Sequence, residues 1–359
     1  MKRIIALSAV AIAGVISAQA ADNSLTVVSW GGAYTKSQVK AYHEPFMKKT
    51  GIKINSEDYS GGLAEIKAQV ESKNVKWDVV DVEMSDAVRG CDDGLLEPID
   101  KSILPPAPDG TPAEKDFLPG ALTECAVANI VWSTVYGYDT TKFKTNAPST
   151  IADFFDTKKF PGKRGMRKVP KANLEMALMA DGVAPADVYK VLSTPEGVER
   201  AFKKLDTIKK DIVWWTAGAQ PPQLLADGEV VMTTAYNGRI FNAQVAEHKP
   251  FKIVWDGQIQ DMDLWVIPKG APHKEAALKF VAFSTDTQRL ADQAKWIAYG
   301  PARKSSAKLV GKYMDGKTDM GPHMPTNPAN MKKALLNNFE FWADHQDELN
   351  EKFNAWIAK

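Results

Sequence analysis

Short apolar runs recur along the chain, and between them lie stretches whose apolar residues fall at helical spacing. Leu25–Ser29, Ile52–Ile54, Asp78–Val82, Ala126–Val135, Val230–Ala235, Phe251–Trp255 and Leu264–Ile267 read as strands from their length and β-branched content. Among the helices, "GGLAEIKAQVES" sets Leu63, Ile66 and Val70 on one face, with Ser60 ahead of it as a candidate N-cap. "EAALKFVAFSTDTQRLADQA" reads as one long helix, and the last helix gathers Leu349, Phe353, Trp356 and Ile357 on one face. Strand–helix alternation of this kind calls for an α/β fold with a largely parallel sheet in each folding unit. No internal repeat, heptad seam or low-complexity tract interrupts it.

The chain is long for one such unit. Its 359 residues open with Lys2 and Arg3, an apolar stretch Ile4–Ile16 and the small-x-small triplet Ala18, Gln19, Ala20. That is the pattern of a secretory signal peptide over residues 1–20, with the mature chain starting at Ala21 and the protein exported to the periplasm. No cysteine stands near that point to carry a lipid, and no later stretch approaches ~18 uninterrupted apolar residues. What remains is more than one compact domain usually holds, so two lobes are expected. The chain is expected to leave lobe 1 (21–136) near Tyr136, build lobe 2 (137–259), and return near Gln260 to complete lobe 1 (260–301). A C-terminal helical segment (302–359) then packs mainly on lobe 2. Two such crossings make a hinge over a cleft.

Export also bears on the cysteines. Cys91 and Cys125 are the two in the chain, and an even pair in an exported protein reads as a disulfide. It would close a loop that includes the proline-rich "ILPPAPDGTPAEKDFLPG". Lysines and arginines number 45 against 44 acidic residues; loss of Lys2 and Arg3 with the leader leaves 43 against 44. A nearly neutral chain lacks the basic excess that nucleic acid demands. The five histidines, His43, His248, His273, His323 and His345, are scattered outside any metal-binding spacing, and His323 sits in a proline-rich loop expected to be solvated. No G-x-S-x-G, Walker or G-x-G-x-x-G motif occurs. Neither enzyme chemistry, a metal nor a cofactor is therefore expected.

Binding chemistry is better represented. Trp30 and Tyr34 flank Gly31 and Gly32 where the first strand hands over to a helix, the place where open α/β sheets hold ligands. A second Gly pair, Gly61 and Gly62, follows Ser60 at another strand-to-helix turn. "TTAYNGRI" ends a strand in Tyr236 and sets Arg239 in the first helical turn, where a guanidinium can fork onto a carboxylate. Asp261 and Asp263 lie beside the second crossing, on the same side of an extended chain, and suit an ammonium group. Trp214 and Trp215 point opposite ways if extended, so at most one of them faces the cleft, and Trp215 is the candidate. Each of these also has an ordinary structural reading: packed aromatics, a helix cap, or ion pairs at the surface and hinge.

In order, "VSWGGAY", "YSGGLAEIKAQV", "WDVVDVE", "CDDGLLEPID", "IVWSTVYGYDTTKF", "VVMTTAYNGRI", "DLWVIPKG" and "AYGPARK" resemble the extracellular solute-binding proteins of ABC importers. The branch is that of spermidine/putrescine-binding proteins, and the subgroup that of γ-aminobutyrate-type amino-acid binders. The resemblance covers nearly the whole mature chain. It implies a two-lobed Venus-flytrap fold of type II, a monomer that traps a small molecule and delivers it to a membrane permease. It implies ligand contacts for Trp30, Tyr34, Tyr236 and Asp263, although Trp30 and Tyr34 stand one residue further apart than the family's W-x-x-Y. Asp261 replaces an aromatic of the polyamine pattern, and Arg239 would repel a diamine but suit a carboxylate. A small amine-containing acid is therefore the leading ligand, with Arg239 on its carboxylate, Asp263 on its ammonium and Asp261 assisting. Ser60, Trp132, Trp215 and Tyr299 complete the expected wall. A polyamine is the runner-up, and a dicarboxylate would need Arg164 or Arg167 beside Arg239. A two-lobed enzyme and a signalling adaptor remain the readings from other classes.

Overall fold

The computed structural model describes residues 23–359. The expected signal peptide and the cleavage before Ala21 lie outside the described residues. Ten strands form the sheet: β1 Ser24–Ser29, β2 Lys53–Asp58, β3 Val79–Glu83, β4 Ala126–Asp139, β5 Arg164–Arg167, β6 Ile212–Trp215, β7 Met232–Tyr236, β8 Phe251–Val266, β9 Gly300–Pro301 and β10 Leu335–Leu336. They run in the order β2-β1-β3-β8-β4-β7-β5-β6, with β10 beside β8 and β9 beside β4. Strands β1, β2 and β3 are mutually parallel, as are β5, β6 and β7. Each parallel trio joins the centre antiparallel, through β3 on β8 and β7 on β4.

The two central strands are long because each serves both lobes. The first half of β4 pairs with the second half of β8, and their other halves pair beyond a break in register between Thr134 and Tyr136. There β8 bulges around Gly257, whose φ of 75° and contact with the Ile151 side chain both call for glycine. Phe251–Trp255 and Leu264–Ile267, expected as separate strands, are thus parts of one strand ending at Val266. Between them, Asp256–Gln258 make the bulge and Ile259–Asp263 pair with β4, so the strand continues through both.

Two hydrophobic cores flank this pair. One gathers Leu25, Val28, Val80, Ile66, Trp265 and Phe280; the other gathers Tyr136, Phe154, Leu178, Met232, Trp342 and Phe353. The last helix, Phe339–Ala358, buries Leu349, Phe353 and Trp356 in the second core. It also touches the first lobe, where Arg89 on the helix Met84–Asp92 donates to Asp347 at 3.0 Å. Cys91 at the end of that helix is joined to Cys125.

Several local expectations need correction. The helix after Gly62 spans Ala64–Glu71 and its preceding residue is Leu63, so Ser60 caps nothing. The long helix at 274–293 is two, Lys274–Ser284 and Thr287–Gln293. The Thr285 hydroxyl donates back to the Val281 carbonyl, and the Asp286 side chain caps the second helix by accepting from the Gln288 amide. His323 is half-buried against the Phe241 ring, and burial lowers its pKa. Strands β5, β9 and β10 have no counterpart among the expected strands.

Candidate ligand site between the lobes

Parallel strands of both lobes point their carboxyl ends at the interlobe cleft, as open α/β sheets do. Trp30 follows β1, Glu83 ends β3, Arg167 ends β5, Trp215 ends β6 and Tyr236 ends β7. Asp261 and Asp263 come in from β8, opposite Trp132 and Ile130 of β4.

The inner cavity is lined by Trp30, Tyr34, Glu83, Trp132, Tyr236, Arg239, Asp263 and Tyr299. Seven of the ten expected site residues meet there, counting all but Ser60, Trp215 and Asp261. Its walls are aromatic rings locked edge to face: Tyr34 against Tyr299 at 5.2 Å, Trp132 against Tyr236 at 4.9 Å. Glycines make these approaches available. A Cβ on Gly61 would stand 2.3 Å from the Trp30 ring, and one on Gly238 would stand 2.6 Å from Tyr299. Of the second Gly pair, Gly61 thus serves to admit Trp30, while nothing among the described residues approaches Gly62.

A neighbouring cavity shares Glu83, Trp132 and Tyr236 and adds Arg167, Lys171, Trp215 and Asp261. Trp215 packs on Tyr236 at 5.7 Å, while Trp214 turns away to Phe353 and Trp356, as alternation requires. Ser60 lies at the outer rim, beside Gly61, Gly62 and Asp86. There its carbonyl, not its hydroxyl, accepts from Arg167 at 3.2 Å.

The charges of the two cavities divide into two sets. In the inner one, Asp263 accepts from the Trp132 indole at 2.6 Å. Burial pushes its carboxyl well above the ordinary range, helped by the nearby Asp81, Glu83 and Asp261. An ammonium placed there would replace the proton that burial otherwise favours. Arg239 is buried in the helix Asn237–Phe241 and donates to the carbonyls of Gly31 at 2.6 Å and Trp30 at 3.1 Å. It therefore ties the lobes together instead of offering both Nη groups freely, as the sequence suggested. Among the described residues its Nε has no hydrogen-bond partner, and neither have the indole nitrogens of Trp30 and Trp215. Buried donors left open around a cleft are what a ligand's acceptor oxygens would satisfy.

In the second set, Glu83 faces two cations from the other lobe, Arg167 at 3.0 Å and Lys171 at 2.8 Å. Burial raises the Glu83 pKa, but Lys171 and Arg167 outweigh it and hold it at about 2. Lys171 also lies 3.4 Å from Asp261, whose other partners are the Asn337 amide and the Met262 N–H. Burial lifts Asp261 to about 6 against the pull of Lys171. Of the two arginines named for a dicarboxylate, Arg164 is spent on the carbonyls of Phe154, Gly162 and Phe160 within lobe 2. Arg167 does reach the cleft, but paired with Glu83. Sequence reasoning missed Glu83 and Lys171 as site residues. The clue for Glu83 was its place as the last residue of an apolar strand.

A two-lobed α/β protein with a buried interlobe chamber of aromatic rings, opposed charges and open donors is built to enclose a small polar molecule. The chain belongs to the bacterial extracellular solute-binding proteins, whose family model matches residues 41–326. It is 47% identical over 353 residues to the gamma-aminobutyric acid-binding protein of Pseudomonas aeruginosa, covering 98% of this chain and 96% of that one. It is 26% identical over 333 residues to the spermidine/putrescine-binding periplasmic protein of Salmonella typhimurium, covering 90% of each. The solved structure of a GABA receptor superposes with a TM-score of 0.78 at 37% identity, over 94% of this chain and 98% of that one. The chain is thus a solute-binding protein of the transport class and not an enzyme.

Proposed function

We propose that the protein captures γ-aminobutyrate or a close ω-amino acid between its lobes and delivers it to an ABC permease. The observation that carries this reading is one buried chamber holding both Asp263, a carboxyl in want of a counter-charge, and Arg239, with a free Nε–H. A zwitterion satisfies both ends, and its methylene chain lies against Trp30, Tyr34, Trp132, Tyr236 and Tyr299. The high identity to a γ-aminobutyrate binder supports the same ligand. Asp261 and Trp215 act from the adjoining cavity, and Ser60 from the rim. The lobes divide near Tyr136 and Gln260, so that β4 and β8 serve as the hinge, with the protein working as a periplasmic monomer. Descent from the importer family supports the permease partner.

Titration calorimetry of the mature protein with γ-aminobutyrate, putrescine and succinate tests the ligand. Tight binding of γ-aminobutyrate with weak or no binding of the other two is expected. Preference for putrescine would refute the zwitterion reading, and preference for succinate would reassign Asp263.

A further inference from the structure

Glu83, Arg167 and Lys171 stand outside the pair that holds the ligand's ends; Glu83 lines the ligand's chamber, and Arg167 and Lys171 line the adjoining cavity. Glu83 borders the inner cavity, its neighbour and the rim. Lys171 sits between Glu83 at 2.8 Å and Asp261 at 3.4 Å and donates also to the Ser85 hydroxyl at 2.8 Å. Around the two inner cavities the carboxylates are Glu83, Asp261 and Asp263, and the cations are Arg167, Lys171 and Arg239. With Asp263 ionised by a bound ammonium, the lining sums to zero. A buried charge that nothing balances is expensive, so a neutral lining favours a ligand that is itself neutral overall.

We infer that Lys171, with Arg167 beside it, determines specificity: by cancelling Glu83 and Asp261 it makes the cleft select a zwitterion and reject a diamine. The inference rests on the γ-aminobutyrate reading above and extends it from the groups that touch the ligand to those that set the charge of the chamber. A chamber with the same rings and Asp263 but without Lys171 would carry one net negative charge. It would then hold the second ammonium of a diamine, and the carboxylate of an amino acid would be repelled.

The test is a ratio, because Lys171 also ties the lobes together and its loss will weaken closure on any ligand. Dissociation constants for γ-aminobutyrate and putrescine are measured by calorimetry in the wild type, Lys171→Met, Lys171→Arg and Lys171→Met/Asp261→Asn. Lys171→Met should move the ratio of the two constants towards putrescine by about tenfold or more. Lys171→Arg should keep the wild-type ratio, and the double variant, neutral again, should return to it. If Lys171→Met fails to fold, Arg167→Gln carries the same expectation. Equal weakening of both ligands would mean that Lys171 is only an interlobe tie and would overturn the inference, as would an unmoved ratio. A wild type that already prefers putrescine would overturn the proposed function and this inference together. A wild type that prefers γ-aminobutyrate with an unmoved variant ratio would overturn the inference alone.

Discussion

Replacing Asp263 with asparagine separates a ligand anchor from a structural carboxylate, because the two roles predict opposite signs. Asparagine keeps an oxygen for the Trp132 indole, now 2.6 Å from the carboxylate, so the ring wall should hold its place. Without ligand, burial and the neighbouring Asp81, Glu83 and Asp261 all oppose ionisation of Asp263. Its loss removes that conflict, and the unliganded protein should melt at the same temperature or higher. With ligand, the carboxylate and an ammonium about 3 Å away attract by roughly 5 kcal/mol at an effective dielectric constant of about 20, before desolvation is charged against it. Truncating one partner of such a buried pair costs about 2–5 kcal/mol. That is roughly thirtyfold to several thousandfold in Kd. Calorimetry with γ-aminobutyrate gives the affinity, and a thermal melt without ligand gives the stability. Weaker binding with undiminished stability is the expected pair. Unchanged affinity removes Asp263 from the site, and joint loss of affinity and stability makes it a structural group.

Three further outcomes follow from the same geometry. Arg239→Gln should cost about 2–5 kcal/mol of affinity for a carboxylate ligand, through the lost charge and the lost ties to Gly31 and Trp30; calorimetry showing no change would exclude Arg239 from recognition. The unliganded melting temperature should rise as the pH falls from 7.5 to about 5 and drop below about 4. Asp81 and Asp261, both raised to about 6, stabilise fully below 3.8 and lose that contribution as the pH rises through 6, whereas Glu83, held at about 2, stabilises above 4.5 and loses its contribution as the pH falls towards 2. A monotonic decline from pH 7.5 downwards in a melting series would contradict this balance. Removing the Cys91–Cys125 bridge, whose ends are 34 residues apart, should cost about 4 kcal/mol in urea unfolding by the chain-entropy model; loss of less than about 1 kcal/mol would show that the bridge constrains little.

Most of the sheet was legible because its strands are apolar runs between helical patterns, and β1, β3, β4 and β7 fall close to where Leu25–Ser29, Asp78–Val82, Ala126–Val135 and Val230–Ala235 were read. What the pattern could not carry is instructive. β5 is "RGMR", with Arg164 spent on carbonyls inside lobe 2 and Arg167 aimed at the cleft, so neither face shows the alternation of a half-buried strand. In β8 the stretch carrying Asp261 and Asp263 reads as extended and is strand, but its polar residues, which face the cleft and the proline-rich loop near Pro325, hide its continuity with the apolar runs on either side.

The same logic separates the parts of the site that sequence could and could not disclose. Trp30, Tyr236, Arg239 and Asp263 each stand next to a local signal: a glycine pair, a strand ending in a helix, a polar residue in an apolar run. For Trp30, Tyr236 and Arg239 the meeting in one chamber follows from the rule that parallel strands aim their carboxyl ends at the cleft, and Asp263 is brought to it by the antiparallel pairing of β8 with β3. Lys171 has no such signal and Glu83 has only its place at the end of an apolar strand; they stand 88 residues apart and are drawn together only when the lobes meet at 2.8 Å. Neither is apolar, and a lysine in a loop reads as solvated until burial shows otherwise. Their burial turns an ordinary acid and base into fixed charges. The local signals therefore locate what touches the ligand, while the sum of charges around it, and with it the choice between an amino acid and a diamine, is written only in the assembled cleft.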